Sequence, residues 1–167
     1  MCGIAGIVTP KGSTVDRALL EQMTRSLQHR GPDDQGLFVC GNVGLGHRRL
    51  SIIDLASGHQ PLFNEDGTVM VVYNGEIYNF KETKAELEGR GHIFKTHCDT
   101  EVIVHAYEEW GADCPNRFRG MFAFAIFDQK TGDVFLCRDR VGVKPLYFAV
   151  DGGRLIFASE IKAILPA

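Results

Sequence analysis

The sequence predicts an α+β fold in which two mainly antiparallel sheets carry helices on their outer faces. Four turn clusters, Cys40-Gly41-Asn42, Glu65-Asp66-Gly67, Thr131-Gly132-Asp133 and Asp151-Gly152-Gly153, each divide paired strand-like runs. Such turns close hairpins, and hairpin partners are antiparallel. The run Phe122-Ala123-Phe124-Ala125-Ile126-Phe127 is apolar at every position, as in a strand covered on one side by helices and on the other by a second sheet. Apolar residues also recur at helical spacing in separate segments, which supplies the outer layers.

The elements follow in order. Cys2 to Val8 is rich in small and β-branched residues and reads as a buried strand crowded near its start by Gly3 and Gly6. That places Cys2 at a strand tip. Val15, Leu19, Leu20, Met23 and Leu27 then predict an amphipathic helix over Val15 to Gln28, with Ser13 and Thr14 as cap candidates. Two more helices are expected, about Lys81 to Glu88 and about Thr100 to Trp110, the second with Val102, Ile103, Ala106 and Trp110 on its apolar side. A fourth begins near Ser159. Val69 to Tyr73 is an apolar strand run, and Leu50 to Leu55 alternates. The chain stops at Ile164-Leu165-Pro166-Ala167, just after that last helix, which suggests one domain over 1–167 of something longer.

At 167 residues, with 44% hydrophobic and 23% charged residues, the chain has the composition of an ordinary globular domain that can bury a core without staples. A net charge of -3 carries no nucleic-acid or membrane-surface footprint and suits a small neutral or zwitterionic substrate. The apolar stretch at the N-terminus is too short for a signal peptide, and no membrane-spanning run is present. Cys2, Cys40, Cys98, Cys114 and Cys137 are odd in number and lack a CxxC pair, so a reducing cytoplasm is expected and a disulfide framework is not. His29, His47, His59, His92, His97 and His105, with Cys98, lack tight ligand spacing along the chain apart from His97-Cys98, so no metal site is expected. The glycines of Gly41 to Gly46 form no phosphate loop, and there is no Gly-x-Ser-x-Gly elbow.

Cys2 is the first candidate for chemistry. Removal of Met1 would give one residue both a thiol and a free α-amine, a nucleophile with its own base. The ordinary pKa values of such groups lie within about one unit of each other, near working pH. Asn74-Gly75 follows a strand run and offers a side-chain amide and an unhindered N–H, the donor pair an oxyanion hole requires; the dipeptide equally suits a type I′ turn. Arg49 could fork onto a substrate carboxylate beside the extended backbone of Leu50 to Ile53, or be a surface arginine next to Arg48. Asp99 could hold an ammonium, or cap the helix it precedes. Arg49 and Asp99 together would grip both charges of a free amino acid.

With these segments assembled, the chain resembles the glutamine amidotransferase domain of glutamine-hydrolysing asparagine synthetases, a class II domain of the N-terminal nucleophile hydrolase superfamily. The matching strings are MCGIAGIV, HRGPDDQG, GHRRLSIIDL, HQPLF, YNGEIYNF, DTEVIVHAYEEWG, RGMFAFAIFD, RDRVGVKPLYF and FASEIKAI, which span essentially the whole chain in order. The cysteine start and the Asn-Gly pair are shared with amidotransferases of other pathways; NGEIYNF with GHRRLSIIDL is closer to the asparagine synthetase branch. That branch also includes amidotransferases acting on other acceptors.

The resemblance implies a four-layer αββα sandwich, with Cys2 as nucleophile and Asn74 with Gly75 as the oxyanion hole. It implies Arg49, Leu50, Ile52, Ile53, Asn74, Gly75, Glu76 and Asp99 as the glutamine contacts. It implies no cofactor for this domain, ATP and Mg belonging to a C-terminal synthetase domain absent from the chain. The expected partners are glutamine and that synthetase domain, with a homodimer as a further expectation. Two other function classes stay open: a non-catalytic amino-acid-binding or docking module of the same fold, and a thiol peptidase or amidase that tolerates ligands without a free carboxylate.

Overall fold

The computed structural model describes residues 1–51 and 58–167. One sheet holds β1 (Gly3–Val8), β2 (Asp34–Cys40), β3 (Val43–Arg49), β8 (Tyr147–Asp151) and β9 (Arg154–Ala158), in the order β2-β3-β1-β9-β8. The other holds β4 (Leu62–Phe63), β5 (Val69–Ile77), β6 (Gly120–Asp128) and β7 (Asp133–Arg138), in sequence order. Neighbouring strands pair antiparallel throughout the described residues, as the hairpin turns predict.

Strand parity sorts the core into three layers. Met70 and Val72 of β5, with Ala123, Ala125 and Phe127 of β6, pack against Ile4, Val43, Leu45 and Phe157 of the facing sheet. Their alternates, Val69, Val71, Tyr73, Phe122, Phe124 and Ile126, pack outward beneath α2 (Phe80–Gly89) and α3 (Asp99–Trp110), against side chains such as Leu87, Val102 and Ile103. Ala5, Ile7 and Ile156 pack on the opposite outer face beneath α1 (Arg17–Ser26) and α4 (Ile161–Ile164). Helix, sheet, sheet, helix is the layer order. The apolar run at Phe122 to Phe127 is therefore covered on both faces.

Differences from the sequence reading lie at element ends. α1 starts at Arg17, capped by Asp16, whose Oδ1 accepts from the N–H groups of Ala18 (2.8 Å) and Leu19 (3.3 Å); neither Ser13 nor Thr14 is the cap. α3 includes Asp99 and has Cys98 at its cap position, so Asp99 is not a cap. Asn79 holds the cap position of α2 without a side-chain capping bond, joining instead to Arg117 O (2.9 Å) and Arg119 N (2.7 Å). Gly111–Arg117 forms a 3₁₀ segment that composition did not suggest.

Three packing facts position the site. A Cβ on Gly6 would lie 2.2 Å from the Phe157 ring, so β1 needs glycine there to pass close to β9. The β1–β3 register pairs Gly3 with Arg48, and one further step sets Cys2 opposite Arg49. His47 of β3 reaches across the two sheets to the Tyr73 carbonyl of β5 at 3.1 Å. Burial pushes its pKa down to about 3, so the imidazole is neutral and its N–H is a fixed donor tying the sheets together.

Candidate active site

Cys2, Arg49, Leu50, Tyr73, Asn74, Gly75, Glu76, Asp99 and Lys144 line one cavity of about 270 Å³ at the end of β1. Ile52 and Ile53 lie outside the described residues; every other site residue inferred from sequence is brought together here. The Cys2 thiol is half-buried and lies 3.5 Å from Leu50 N and 3.8 Å from Leu50 O. Leu50 thus fixes the sulfur through its backbone.

The Asn74-Gly75 pair is not a turn. β5 runs through it to Ile77, with Asn74 opposite Ala123 and Gly75 opposite Phe122. Both polar backbone groups of Phe122 are spent on Asp139, its N–H on Oδ2 at 3.2 Å and its carbonyl on the Asp139 N–H at 2.8 Å. An antiparallel strand sends both groups of one residue to the same side, so Gly75 and its alternates Tyr73 and Ile77 point theirs away from β6. There β4 has already ended. The Tyr73 N–H is taken by Gln60 Oε1 at 2.6 Å and the Ile77 N–H by Asp99 Oδ2 at 3.0 Å. Between them, the Gly75 N–H meets the cavity with no protein acceptor among the described residues.

Asn74 supplies the second donor. It shares the parity of Met70 and Val72, so its side chain points toward the sheet that carries Cys2. It is buried, and among the described residues its Nδ2 has no hydrogen-bond partner. A buried amide N–H without an acceptor is costly unless a ligand completes it. A Cβ at position 75 would lie 2.4 Å from Met121 O and 2.7 Å from Phe122 Cα, so only glycine lets β5 sit this close to β6 while exposing its N–H.

Arg48 and Arg49 are both buried, which removes the surface-arginine reading. Alternation sends Arg48 to the loop before β2, where it donates to Gly31 O (2.8 Å) and Gln35 Oε1 (2.9 Å), and sets Arg49 on the cavity wall. Asp99, in the first turn of α3, accepts from the Tyr73 hydroxyl at 2.7 Å as well as from Ile77 N. Burial pushes its carboxyl pKa up, those hydrogen bonds pull it back, and the charge of Glu76 adds to the rise. Both of these bonds fall on Oδ2, which leaves acceptor capacity on Oδ1. The site thus pairs a guanidinium and a carboxylate, with a thiol and two N–H donors beside them.

The family model for a glutamine amidotransferase domain matches residues 1–167. The chain belongs to the glutamine amidotransferase domain family. Such a domain releases the side-chain amide nitrogen of glutamine, and glutaminase chemistry is the activity that membership carries. Among curated relatives, the amidotransferase domain is 48% identical to asparagine synthetase [glutamine-hydrolyzing] 2 of Bacillus subtilis (strain 168), over 98% of this chain and 22% of that protein. It is 44% identical to the asparagine synthetase [glutamine-hydrolyzing] of Zea mays, over 98% of this chain and 28% of that one. The chain therefore spans about a quarter of the length of these relatives. Among solved structures, a glutamine phosphoribosylpyrophosphate amidotransferase from B. subtilis superposes with a TM-score of 0.82 at 24% identity, covering 98% of this chain and 43% of that one, which shows the shared fold.

The amidotransferase domain also uses residues to which sequence reasoning gave no role. Arg30 donates through Nε to the Cys2 carbonyl at 2.9 Å and through Nη1 to Glu160 at 3.0 Å, which holds the chain on either side of the thiol. Ser159 accepts from Ile4 N at 3.0 Å, so the FASE segment clamps the start of β1. The Asp139 carboxylate gathers the N–H groups of Phe122, Val143 and Lys144. That sets the buried Lys144 on the cavity wall, its Nζ 3.5 Å from Met1 Sδ. Among the strings that carried the resemblance, HRGPDDQG, RDRVGVKPLYF and FASEIKAI were the available signal, but nothing local in them says what they brace.

Proposed function

We propose that the domain hydrolyses glutamine through a γ-glutamyl thioester on Cys2, after Met1 is removed. The observation that carries this reading is the pair of donors, Gly75 N–H and Asn74 Nδ2, that face the Cys2 cavity without acceptors among the described residues. With Met1 attached the Cys2 nitrogen is an amide without basicity; once freed, it takes the thiol proton directly or through water. The thiolate attacks the side-chain carbonyl carbon, and the oxyanion forms between the two donors. The C–N bond breaks as the Cys2 ammonium returns a proton to the leaving nitrogen, giving ammonia and the thioester. Water activated by the same amine then releases glutamate and the thiol. Arg49 pairs with the α-carboxylate of the substrate, and Asp99, with Glu76 beside it, takes the α-ammonium. A ligand without both charges loses that grip, which argues against a general peptidase.

The ammonia is proposed to serve an ATP-dependent synthetase region that makes asparagine, with ATP and Mg bound there and not in this domain. Support comes from an apolar edge: β8 ends its sheet and exposes Phe148 and Val150, each about two-thirds open (68% and 70%), which suits a covering domain better than solvent. Among the described residues no helix is long and apolar enough to cross a membrane. A reducing cytoplasmic setting fits the five free thiols.

The decisive experiment exposes the purified chain to a glutamine-analogue electrophile and follows ammonia and glutamate release from glutamine. Expected are mass labelling of a Cys2 N-terminal peptide lacking Met1, equal release of the two products, and protection by glutamine. An unlabelled Cys2 with Met1 retained and no ammonia release would instead make the domain a binding module.

A further inference from the structure

Beneath the outer end of α3, away from the Cys2 cavity, a second polar cluster joins three separate parts of the chain. Glu65 comes from the turn between β4 and β5, His92 from the segment after α2, and His105 and Glu108 from α3. One ligand atom from each lies within 4.8 Å of all the others. His105 Nδ1 is 3.1 Å from Glu65 Oε2 and 3.3 Å from Glu108 Oε2; His92 Nδ1 is 3.8 Å from Glu65 Oε1 and 3.9 Å from Glu108 Oε2. A tetrahedral zinc with ligands at about 2.0–2.1 Å sets its donors roughly 3.3–3.4 Å apart, so the spacings bracket what such an ion needs.

The groups behind these four residues strengthen the reading. A metal-ligating histidine turns its other ring nitrogen to a carboxylate or carbonyl, which fixes the ring and raises its basicity. His92 does so here, and His105 is turned toward a carboxylate at longer range. His105 Nε2 faces Glu101 Oε1 at 3.7 Å, and His92 Nε2 faces Glu109 Oε2 at 3.5 Å. Glu109 is held in turn by Arg90 at 2.7 Å through its other oxygen, and Glu108 is oriented by the Asn64 amide at 2.6 Å. The His105 ring is fully buried, yet its Nε2 has no partner within hydrogen-bond distance among the described residues.

Charge points the same way. Three carboxylates, Glu65, Glu101 and Glu108, surround one imidazole. A single proton balances one of three negative charges. A divalent cation on Nδ1 balances two and leaves the Nε2 proton for Glu101.

We propose that Glu65, His92, His105 and Glu108 bind a divalent transition metal of the zinc class, with Glu101 and Glu109 as the carboxylates behind the two imidazoles. The ion ties the β4–β5 turn, the end of α2 and α3 into one unit. Its support extends toward the substrate cavity, because Glu101 also accepts from Lys95 N and Thr96 N, at 2.7 Å each, and so shapes the segment leading into Asp99. His105 lies six residues along α3 from Asp99, about 9 Å of helix rise, so the ion braces the site without touching substrate.

The test titrates the full chain, stripped with a chelator, with Co²⁺ and then Zn²⁺. Expected are one equivalent bound, the strong visible bands of tetrahedral Co²⁺ with no sulfur charge-transfer band, and displacement of Co²⁺ by Zn²⁺. His92→Asn and Glu108→Gln should each lower Co²⁺ affinity by more than about 100-fold, and the half-exposed Glu109→Gln by about 10-fold, with glutaminase turnover reporting that the variants fold. Absence of stoichiometric Co²⁺ binding, a thiolate charge-transfer band, or unchanged affinity in Glu109→Gln and the folded ligand variants would overturn the proposal.

Discussion

Arg48 and Arg49 are sequence neighbours with the same slight exposure, 7%, and they end in opposite kinds of surroundings. Behind β1, Arg48 spends its donors on the carbonyls of Gly31 and Pro32 and on Gln35, while Arg30, His29 and Lys162 converge on Glu160. In front of β1, Arg49 sits on a cavity wall with Asn74 Nδ2 and Gly75 N–H, whose acceptors the described chain does not provide. The first region is a nearly saturated polar network, with Arg30 Nη2 as its one buried unpaired side-chain atom among the described residues. The second is left incomplete where a substrate would complete it. Polar saturation marks what holds the thiol; acceptors missing among the described residues mark where a substrate is proposed to sit.

Breaking the incomplete side should cost the most. Cys2→Ala removes the proposed nucleophile and should abolish ammonia release while leaving the fold intact by circular dichroism. Asn74→Ala deletes one proposed oxyanion donor, and turnover should fall by roughly 100-fold or more with KM little changed. A large KM change at normal turnover would instead move Asn74 to ground-state binding.

Arg49→Ala and Asp99→Asn should act on KM, raising it by about 10-fold or more, since each removes a proposed charged hydrogen bond to substrate. Asp99 adds a pH dependence. It must be ionised to hold an ammonium, and burial has pushed its pKa above the ordinary 3.8, so KM should climb on acidification earlier than an ordinary carboxylate would allow. Initial-rate profiles test this: Asp99→Asn should start from a higher KM and lose that acid limb.

The same contrast explains what could be read from the sequence. Local chemistry announced the incomplete side, because an N-terminal cysteine, an Asn-Gly pair and a polar residue at a helix start are conspicuous where packing does not require them. Gly75 was legible as a backbone donor, but its setting was not. Its N–H has no acceptor among the described residues because β4 stops short and Phe122 is committed to Asp139, facts of long-range register. The layers were legible for the opposite reason: parity in Val69 to Tyr73 and Phe122 to Phe127 is local, and it fixes which face meets which layer. Arg30, Glu160 and Lys144 act through partners between 28 and 143 residues away, and no spacing rule could pair them. The His92 and His105 cluster was hidden in the same way, its four side chains drawn from three separate parts of the chain.

Glu160 gives the saturated side its own, smaller signature. Burial alone would raise its carboxyl pKa, yet bonds from Arg30, His29 and Lys162 outweigh that and bring it to about 2 from an unfolded-like 4.5. A carboxylate depressed by folding stabilises the native state above its unfolded pKa and loses that contribution as protons bind, here between about pH 4.5 and about pH 2. Glu160→Gln should therefore lower the melting temperature modestly near neutrality and remove part of the acid slope, so that parent and variant converge near pH 2. Turnover should fall far less than in Asn74→Ala, because Arg30 keeps its bond to the Cys2 carbonyl. Parallel melting curves from pH 6 to pH 2 would show that this network does not depend on the Glu160 charge, and that saturation by hydrogen bonds alone holds Cys2 in place.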